Sequence, residues 1–189
     1  ILEDLLDLNN LISSNKFISE RNLEKNLKFY SRKMLVWINK ISHPDGKIPF
    51  FNDATFGITS EVSFLREYYY RMNKNLKLKE NKSDILKNSG FRTLENSSIF
   101  CICDVGPIKP DYVPGHSHAE TLSFEASFKG ERFIVNSGIS SYEKNKKRIY
   151  QRSTKTHSTI EIDNKNSSDI WSGFRVGNRA KIINKGHSE

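Results

Sequence analysis

The chain has 189 residues, and 36% of them are hydrophobic, including 12 Phe and 7 Tyr. This is enough apolar material for the core of one domain or of two small ones. The formal net charge of +8, from 30 Lys and Arg against 22 Asp and Glu, predicts attraction to polyanions. It leaves nucleic acid and acidic polysaccharide both open. No apolar run approaches the ~20 residues that cross a bilayer, so we expect no membrane span.

Two local features bear on the compartment in which the chain works. The first residue is Ile1, and the first helical stretch has neither the basic segment nor the small-residue cleavage site of a secretory signal. We therefore expect a fragment whose N-terminus and targeting signal lie elsewhere. Cys101 and Cys103 lie two apart in an apolar stretch, which fits neither a zinc ribbon nor a redox pair. We expect buried free thiols, and the redox compartment stays open.

The first 88 residues show the apolar spacing of helices. A short stripe consists of Leu2, Leu5, Leu6 and Ile12, and a longer one of Leu23, Leu27, Tyr30, Met34, Trp37, Ile38 and Ile41. The sequence His43-Pro44-Asp45-Gly46 predicts the end of the second helix, because a proline disfavours helix in the residue before it. A third helix is expected to begin near Thr59-Ser60, which can cap it. Its apolar residues are Phe64, Leu65, Tyr68 and Met72.

The periodicity changes after the Lys- and Asn-rich stretch 74–88, where we place a domain boundary. Short β-rich runs follow at Ser98–Val105, Thr121–Lys129, Arg132–Asn136, Ser158–Asp163 and Arg179–Asn184. Lys129-Gly130 is a candidate hairpin turn. Helices followed by strands predict an α+β fold, with a helical segment at 1–88 and an antiparallel β domain at 89–189, rather than an alternating α/β sheet.

The stretch Gly115-His116-Ser117-His118-Ala119-Glu120 stands out because the chain has only five histidines. On an extended strand His116 and His118 point to the same side, as do Leu122, Phe124, Ala126 and Phe128 beyond them. We therefore predict two imidazoles on one face at a strand entrance. His157 is a third candidate. Spacing alone leaves a metal or catalytic site and three hydrogen-bonded structural histidines about equally open, because zinc needs three or four converging ligands.

Four sequence blocks occur in a fixed order between residues 114 and 180: PGHSHAE with a following LSFE, then IVNSG, YQRSTKTHST and GFRVGNRA. In this order they resemble the C-terminal part of the heparinase II/III-like polysaccharide lyases. The segment Ile48–Asp53 more weakly resembles the end of the (α/α) toroid of that family, which usually has Gly-Asp in place of Asn52-Asp53. The resemblance implies the end of a toroid followed by an antiparallel β-sheet or β-sandwich domain.

The resemblance also implies a reaction, β-elimination beside a uronic acid. In it a base removes the proton at the ring carbon that bears the carboxylate, and an acid assists the leaving sugar oxygen. His116 matches the catalytic histidine of the family, and Tyr150 matches a tyrosine that acts as acid or base in alginate-cleaving relatives. The expected ligands of a zinc ion are His118, His157 and Asn136. The residues expected to bind substrate are Tyr142, Arg148 and Arg152. The expected location is periplasmic or secreted.

The sequence departs from the family pattern at two positions of the site. Asn136 stands where the family usually has a metal-binding Asp, and a neutral amide oxygen is a poorer zinc ligand than a carboxylate. Glu120 stands where the family has Asp. Family members also carry an Asn or His and a Tyr well over a hundred residues before the histidine pair, farther than this chain reaches. We therefore expect half an active site, and no lyase activity from these residues alone.

Three functions compete at this stage. The first is part of a lyase acting on acidic, uronate-containing polysaccharide. The second is a non-catalytic carbohydrate-binding or polysaccharide-assembly protein that keeps the fold, which Asn136 favours slightly. The third, nucleic-acid binding, has the charge in its favour but no helix-turn-helix, zinc-finger or RNP-like sequence, so we expect no nucleic-acid partner.

Overall fold

Three amphipathic helices form the N-terminal part of the computed structural model, which describes residues 1–15, 21–73, 78, 86 and 88–183. They are α1, Leu2–Ser14, α2, Arg21–Ile41, and α3, Val62–Met72. Their facing sides bury one cluster that contains Leu2, Leu6, Leu35, Leu65 and Tyr69. Among the described residues, no helix has the length and apolar character needed to cross a membrane. The predicted boundary stretch 74–88 lies mostly outside the described residues.

The third helix begins later than the sequence predicts. Its first residue is Val62, and no side chain caps it. Ser60, expected as a cap, instead donates its hydroxyl to Oε1 of Glu3 in α1, at 2.7 Å. The buried residues of α3 are Val62, Leu65 and Tyr69, so the face that meets α1 and α2 is rotated from the predicted stripe, and Phe64 is 44% exposed.

In the described part of the chain, four strands form one antiparallel sheet in the order β1-β2-β3-β4. They are β1, Phe91–Glu95, β2, Ile99–Asp104, β3, Phe124–Phe128, and β4, Glu131–Ile134. Lys129 and Gly130, both with positive φ, make the tight turn between β3 and β4, which confirms the predicted hairpin. Two further strands, β5, Asp169–Trp171, and β6, Arg175–Gly177, form a separate hairpin. The predicted α+β class with antiparallel strands is confirmed.

The sheet packs against the end of α2. Ile41 joins Phe51, Phe100 and Ile102 in a second buried cluster, and Trp37 packs against it. The opposite face of the sheet carries Cys101 and Cys103, which are free thiols of intermediate exposure with their sulfur atoms 3.8 Å apart. Burial and the neighbouring thiol raise the pKa of Cys103 to about 12.

Several predicted strand segments are not strands. The β3 strand begins only at Phe124, because residues 115–123 form turns in which Leu122 has φ +62°. Residues 158–163 are irregular apart from an isolated bridge between Ile162 and Lys165. Residues 179–183 carry no strand, and Asn184 lies outside the described residues.

A short helix, α4, Lys146–Gln151, and a 3₁₀ turn, Thr154–Thr156, lie within the half that the sequence predicts to be β. The side chain of Asn145 accepts the backbone N–H of Arg148 and so caps α4.

The burial along β3 also differs from the prediction. Glu125 and Ser127 are buried, whereas Phe128 is 48% exposed, because the polar side chains face the helices.

Candidate active site

A loop between α2 and α3 reaches the sheet and presents Asp53. Two buried carboxylates hold this loop by its backbone: Oε1 of Glu125 accepts the N–H of Phe50 at 2.8 Å, and Oε1 of Glu120 accepts the N–H of Asn52 at 2.6 Å. A side chain at Gly138 would come within 2.9 Å of the Ala54 carbonyl oxygen. Only glycine therefore fits where this segment passes the loop.

The carboxylate of Asp53 binds three side chains. Its Oδ2 lies 2.8 Å from Nδ1 of His116, and its Oδ1 lies 2.8 Å from Nε2 of His118. Arg148 donates to both oxygens, through Nη1 to Oδ1 and through Nη2 to Oδ2. Burial alone would raise the pKa of Asp53, but the hydrogen bonds from His118, Arg148 and His116 lower it to about 2. Asp53 is therefore ionised at neutral pH.

Among the histidines that the structure describes, His116 is the one that faces solvent. Its side chain is 70% exposed, although its Nδ1 is held by a carboxylate that is almost completely buried. The Tyr142 ring lies edge-on to the imidazole, with 5.7 Å between centroids, and Tyr142 in turn packs on Phe174. The guanidinium of Arg148 lies 5.2 Å from the centre of the Tyr142 ring. The arrangement is an open imidazole with an aromatic wall beside it.

His118 lies at the start of a buried chain of polar groups that continues through His157 to Glu120. Nδ1 of His118 is 3.1 Å from Nε2 of His157, and Nδ1 of His157 is 3.2 Å from Oε2 of Glu120. Burial lowers the pKa of His118, and burial and the nearby His118 lower that of His157 to about 3. Burial, then Asp104, raises the pKa of Glu120 well above its ordinary value.

The hydrogen bonds assign the proton positions in this series of polar groups as far as the contact between His157 and Glu120. Ionised Asp53 only accepts, so Nε2 of neutral His118 carries a proton and its Nδ1 accepts one from His157. Nδ1 of His157 then carries a lone pair and faces Oε2 of Glu120, so two hydrogen-bond acceptors meet at this contact. Within the described residues neither Nδ1 of His157 nor Oε2 of Glu120 has a hydrogen-bond partner. A proton on Glu120 or a cation satisfies both atoms.

The same three residues have the composition of a zinc site. Ligand atoms of His118, Glu120 and His157 lie within 4.8 Å of one another, and all three residues are buried. Two imidazoles and a carboxylate are a ligand set that zinc accepts. The amide oxygen of Asn136 accepts the N–H of Ser158 at 2.8 Å, and its Nδ2 has no partner within the described residues. The structure thus adds Glu120 to the two histidines that the sequence singles out.

Comparison with known proteins identifies the family of the chain. The C-terminal profile of the heparinase II/III-like family matches residues 79–189, more than half of the chain. The chain belongs to the heparinase II/III-like family. It is also 27% identical over 156 residues to a heparin-sulfate lyase of Pedobacter heparinus, covering 70% of this chain and 23% of that enzyme.

Solved structures share the fold. A heparinase III structure superposes with a TM-score of 0.64 at 22% identity, over 87% of this chain and 28% of that one. The crystal structure of the heparan sulfate lyase HepC from Pedobacter heparinus gives a TM-score of 0.58 at 22% identity, over 87% of this chain and 29% of that one. The chain therefore spans less than a third of the length of these relatives.

The two arginines expected to bind substrate are buried in this heparinase-like chain. Arg148 and Arg152 are 1% and 0% exposed, respectively. Arg148 binds Asp53 and donates Nε to the carbonyl oxygen of Gly173, while Arg152 donates to the carbonyl oxygen of Ser117 at 2.8 and 3.1 Å. Because they lie four residues apart, at the inner side of α4 and just beyond its end, both guanidinium groups point into the protein. The prediction of direct substrate contact is therefore corrected: both arginines are buried and bind other groups of the protein around the site.

Tyr150 occupies the other side of α4. It is 57% exposed and lines a cavity of about 330 Å³ with Lys146, Lys155 and Asn166, a cavity whose lining does not include His116. The aromatic ring beside His116 is that of Tyr142. A helix turns by about 100° per residue, so Tyr150 and Arg148 point to opposite sides. Among the described residues, His116 contacts Tyr142 and no contact joins it to Tyr150, whose catalytic role stays a prediction.

The sequence does not show the roles of two site residues. Asp53 was visible only as the last residue of a weak family match, and nothing local shows that it meets His116. Glu120 departs from the family pattern, and nothing local shows that it meets His157. The histidines themselves lie in a turn rather than on a strand, and they share Asp53 rather than a sheet face.

Proposed function

We propose that the intact protein cleaves an acidic, uronate-containing polysaccharide by β-elimination, with His116 as the group that transfers the proton. The observation that carries the proposal is the state of His116: an open imidazole whose Nδ1 is held by the buried, ionised Asp53. This is the arrangement expected of a general base, since the second ring nitrogen remains available to a ligand in solvent.

The chemistry requires few steps. The base takes the proton from the ring carbon that bears the carboxylate, and the electron pair left behind forms a ring double bond. The bond from the ring to the neighbouring sugar oxygen breaks, and that oxygen takes up a proton. His116 supplies the lone pair, and the half-exposed Tyr142 ring beside it supplies a surface on which a sugar can stack. Tyr150 remains the candidate for the second proton transfer in the intact protein.

The charge of the chain supports an acidic substrate. Lys144, Lys146 and Lys147 are exposed on and just before α4, the helix whose Arg148 holds Asp53. Together with the net charge of +8, they favour the approach of a polyanion to this side of the protein.

We further propose that His118, His157 and Glu120 hold a zinc ion, with Glu120 supplying the negative charge that Asn136 lacks. The fit rests on the convergence of the three buried side chains and on the unpaired Oε2 of Glu120 and Nδ1 of His157. When bound, zinc would tie the turn that carries His116 to His157 and fix its position.

Asn136 also supports a second function, that of a non-catalytic carbohydrate-binding protein that keeps the family fold. Its amide replaces the family carboxylate, and a weaker metal site is compatible with binding alone.

One experiment separates the two functions. The full-length protein is incubated with alginate-like, heparin-like and capsular acidic glycans, and the ultraviolet absorbance of unsaturated uronate is followed. Lyase activity predicts a rise that His116→Ala lowers by about 10² to 10⁴-fold. Glu95→Ala, at an exposed position of strand β1, should keep the parent rate. Binding without any absorbing product, with His116→Ala binding as well as the parent, would establish the binding function instead.

A further inference from the structure

The Asp53 carboxylate is shared between two histidines through different oxygens and different ring nitrogens. Oδ2 meets Nδ1 of His116, and Oδ1 meets Nε2 of His118. An ionised carboxylate only accepts hydrogen bonds, so each of these nitrogens must donate. Asp53 thereby selects opposite tautomers in the two rings: the unprotonated nitrogen is Nε2 in His116 and Nδ1 in His118.

His116 has few other restraints. Its side chain is 70% exposed, and its contact with Tyr142 is a single edge-on ring contact at 5.7 Å. An exposed imidazole without a fixed partner exchanges between rotamers and between tautomers. The bond to Asp53 is the one polar contact of the His116 ring within the described residues.

Asp53 itself is rigidly placed. Arg148 binds both of its oxygens and is itself buried and held by the carbonyl oxygen of Gly173. The loop that carries Asp53 is fixed by the backbone contacts of Phe50 and Asn52 with Glu125 and Glu120. A carboxylate whose oxygens and backbone are both fixed can set the orientation of an exposed ring that is hydrogen-bonded to it.

We propose that Asp53 is a positioning residue that fixes His116 as the Nδ1–H tautomer, with Nε2 directed to solvent, and so presents the lone pair that takes the substrate proton. The inference rests on the proposed lyase function for its catalytic consequence. Its structural content, the tautomer and orientation of His116, stands without any activity.

The first test measures the tautomer of His116 in the parent protein. Full-length protein labelled with ¹⁵N-histidine is studied by long-range ¹⁵N–¹H correlation NMR at neutral pH, and the His116 signals are assigned by their loss in His116→Ala. The expected result is a proton on Nδ1 of His116. A proton predominantly on Nε2, or an equal mixture of tautomers, overturns the proposal.

The second test uses Asp53→Asn. The amide offers one acceptor oxygen where two are needed, so one histidine ring must change tautomer or lose its bond. We expect the His116 signal to shift toward the Nε2–H tautomer and kcat to fall by about 10 to 100-fold, the usual effect of losing such a supporting contact. KM should change by less than about threefold, because the substrate surface is kept.

Asp45→Asn is the matched control. Asp45 also accepts two bonds from one arginine, Arg132, across the helix–sheet boundary, but among the described residues no histidine side chain forms a hydrogen bond with it. Its kcat and His116 tautomer should match the parent. In the His116→Ala background, Asp53→Asn should lower the residual rate no further. An additional fall of the same size as in the parent background would show that Asp53 acts through general stability, and would overturn the proposal.

The positioning role can still be tested if the proposed lyase function is wrong or if Asp53→Asn does not fold. If no glycan is cleaved, the lyase function fails, while the tautomer measurement still decides the positioning role. If Asp53→Asn unfolds, Asp53→Glu keeps the charge and moves the carboxylate by one methylene. A folded Asp53→Glu with parent kcat and parent His116 signals would overturn the role, whereas reduced kcat with a shifted His116 signal supports it.

Discussion

His43 Nε2 lies 2.9 Å from Oε2 of Glu125, and both side chains are completely buried. His43 follows α2 and Glu125 is in the second position of β3, so this contact joins the helices to the sheet. The network continues on both sides: Nδ1 of His43 is 2.7 Å from Oγ of Ser127, and Oε1 of Glu125 accepts the N–H of Phe50 and of Asn136. A buried polar network whose contacts are all made specifies one relative position of its elements.

Removal of Glu125 should therefore destabilise the fold strongly. Glu125→Ala leaves His43, the Phe50 N–H and the Asn136 N–H without their acceptor, and we expect the free energy of unfolding to fall by about 3 to 5 kcal/mol. Urea unfolding followed by circular dichroism measures the loss. Glu131→Ala, at an exposed position of β4, should stay within about 0.5 kcal/mol of the parent. Equal small effects of the two substitutions would contradict the structural role of the network.

The buried Arg148–Asp53 ion pair predicts a second loss of stability when one partner is removed. Arg148→Ala leaves the buried Asp53 charge with two histidines and no permanent cation, which should lower the free energy of unfolding by about 3 to 5 kcal/mol. Its neighbour Lys147 is exposed on α4, so Lys147→Ala is a control with the same backbone and the same change of charge. Parallel thermal or urea unfolding of the two variants measures the difference. Similar stability of both would show that the buried pair contributes little.

Local patterns predicted the elements whose signals are local. The apolar stripe of α2 and the stop at Pro44 gave its end correctly, and Lys129-Gly130 gave the β3–β4 turn. The short helix α4 was missed because six residues hold less than two turns of periodicity, and four of residues 144–148 are basic, so no apolar stripe marks it. The capping Asn145 was the one signal that could have revealed it.

The candidate site was predicted in its histidines but not in their arrangement. Alternation places His116 and His118 on one side only in an extended strand, whereas the structure has them in a turn. They converge because both reach Asp53, which is 63 and 65 residues away in sequence. That encounter depends on the backbone contacts of Phe50 and Asn52 with Glu125 and Glu120, and such tertiary contacts leave no periodic trace in the sequence.

Asp104 predicts how stability depends on pH. Burial raises the pKa of its carboxyl to about 6, against an ordinary value of 3.8, and the N–H of Gly106 offsets this only in part. The folded protein therefore holds the proton more tightly than the unfolded chain does. The free energy of unfolding should fall as pH rises from roughly 3.8 to 6, and the deficit should persist above that range.

Asp104→Asn tests this dependence, since the amide keeps an acceptor for Gly106 without the charge. Two pKa units correspond to about 3 kcal/mol, and partial exposure lowers the expected gain at pH 7 to about 1 to 3 kcal/mol. The gain should vanish near pH 4. Glu95→Gln, at an exposed position of the adjacent strand β1, should give no gain at either pH. Equal stability of parent and Asp104→Asn in urea unfolding at pH 7 would contradict the prediction.

The proposed zinc site can be tested in both directions, because one candidate ligand can be weakened and another strengthened. Glu120→Gln replaces a carboxylate with a neutral amide of the same shape and should lower zinc affinity by about 10 to 100-fold. Asn136→Asp restores the carboxylate usual in the family and should raise affinity by a similar factor. Elemental analysis of full-length protein after dialysis against zinc–chelator buffers measures both changes. Glu143→Gln, at an exposed position whose side chain bonds only to Asn145 among the described residues, should bind as the parent does. If Glu120→Gln retains zinc fully while Asn136→Asp gains, Asn136 and not Glu120 completes the site, and unchanged zinc content in both variants would remove both residues from it.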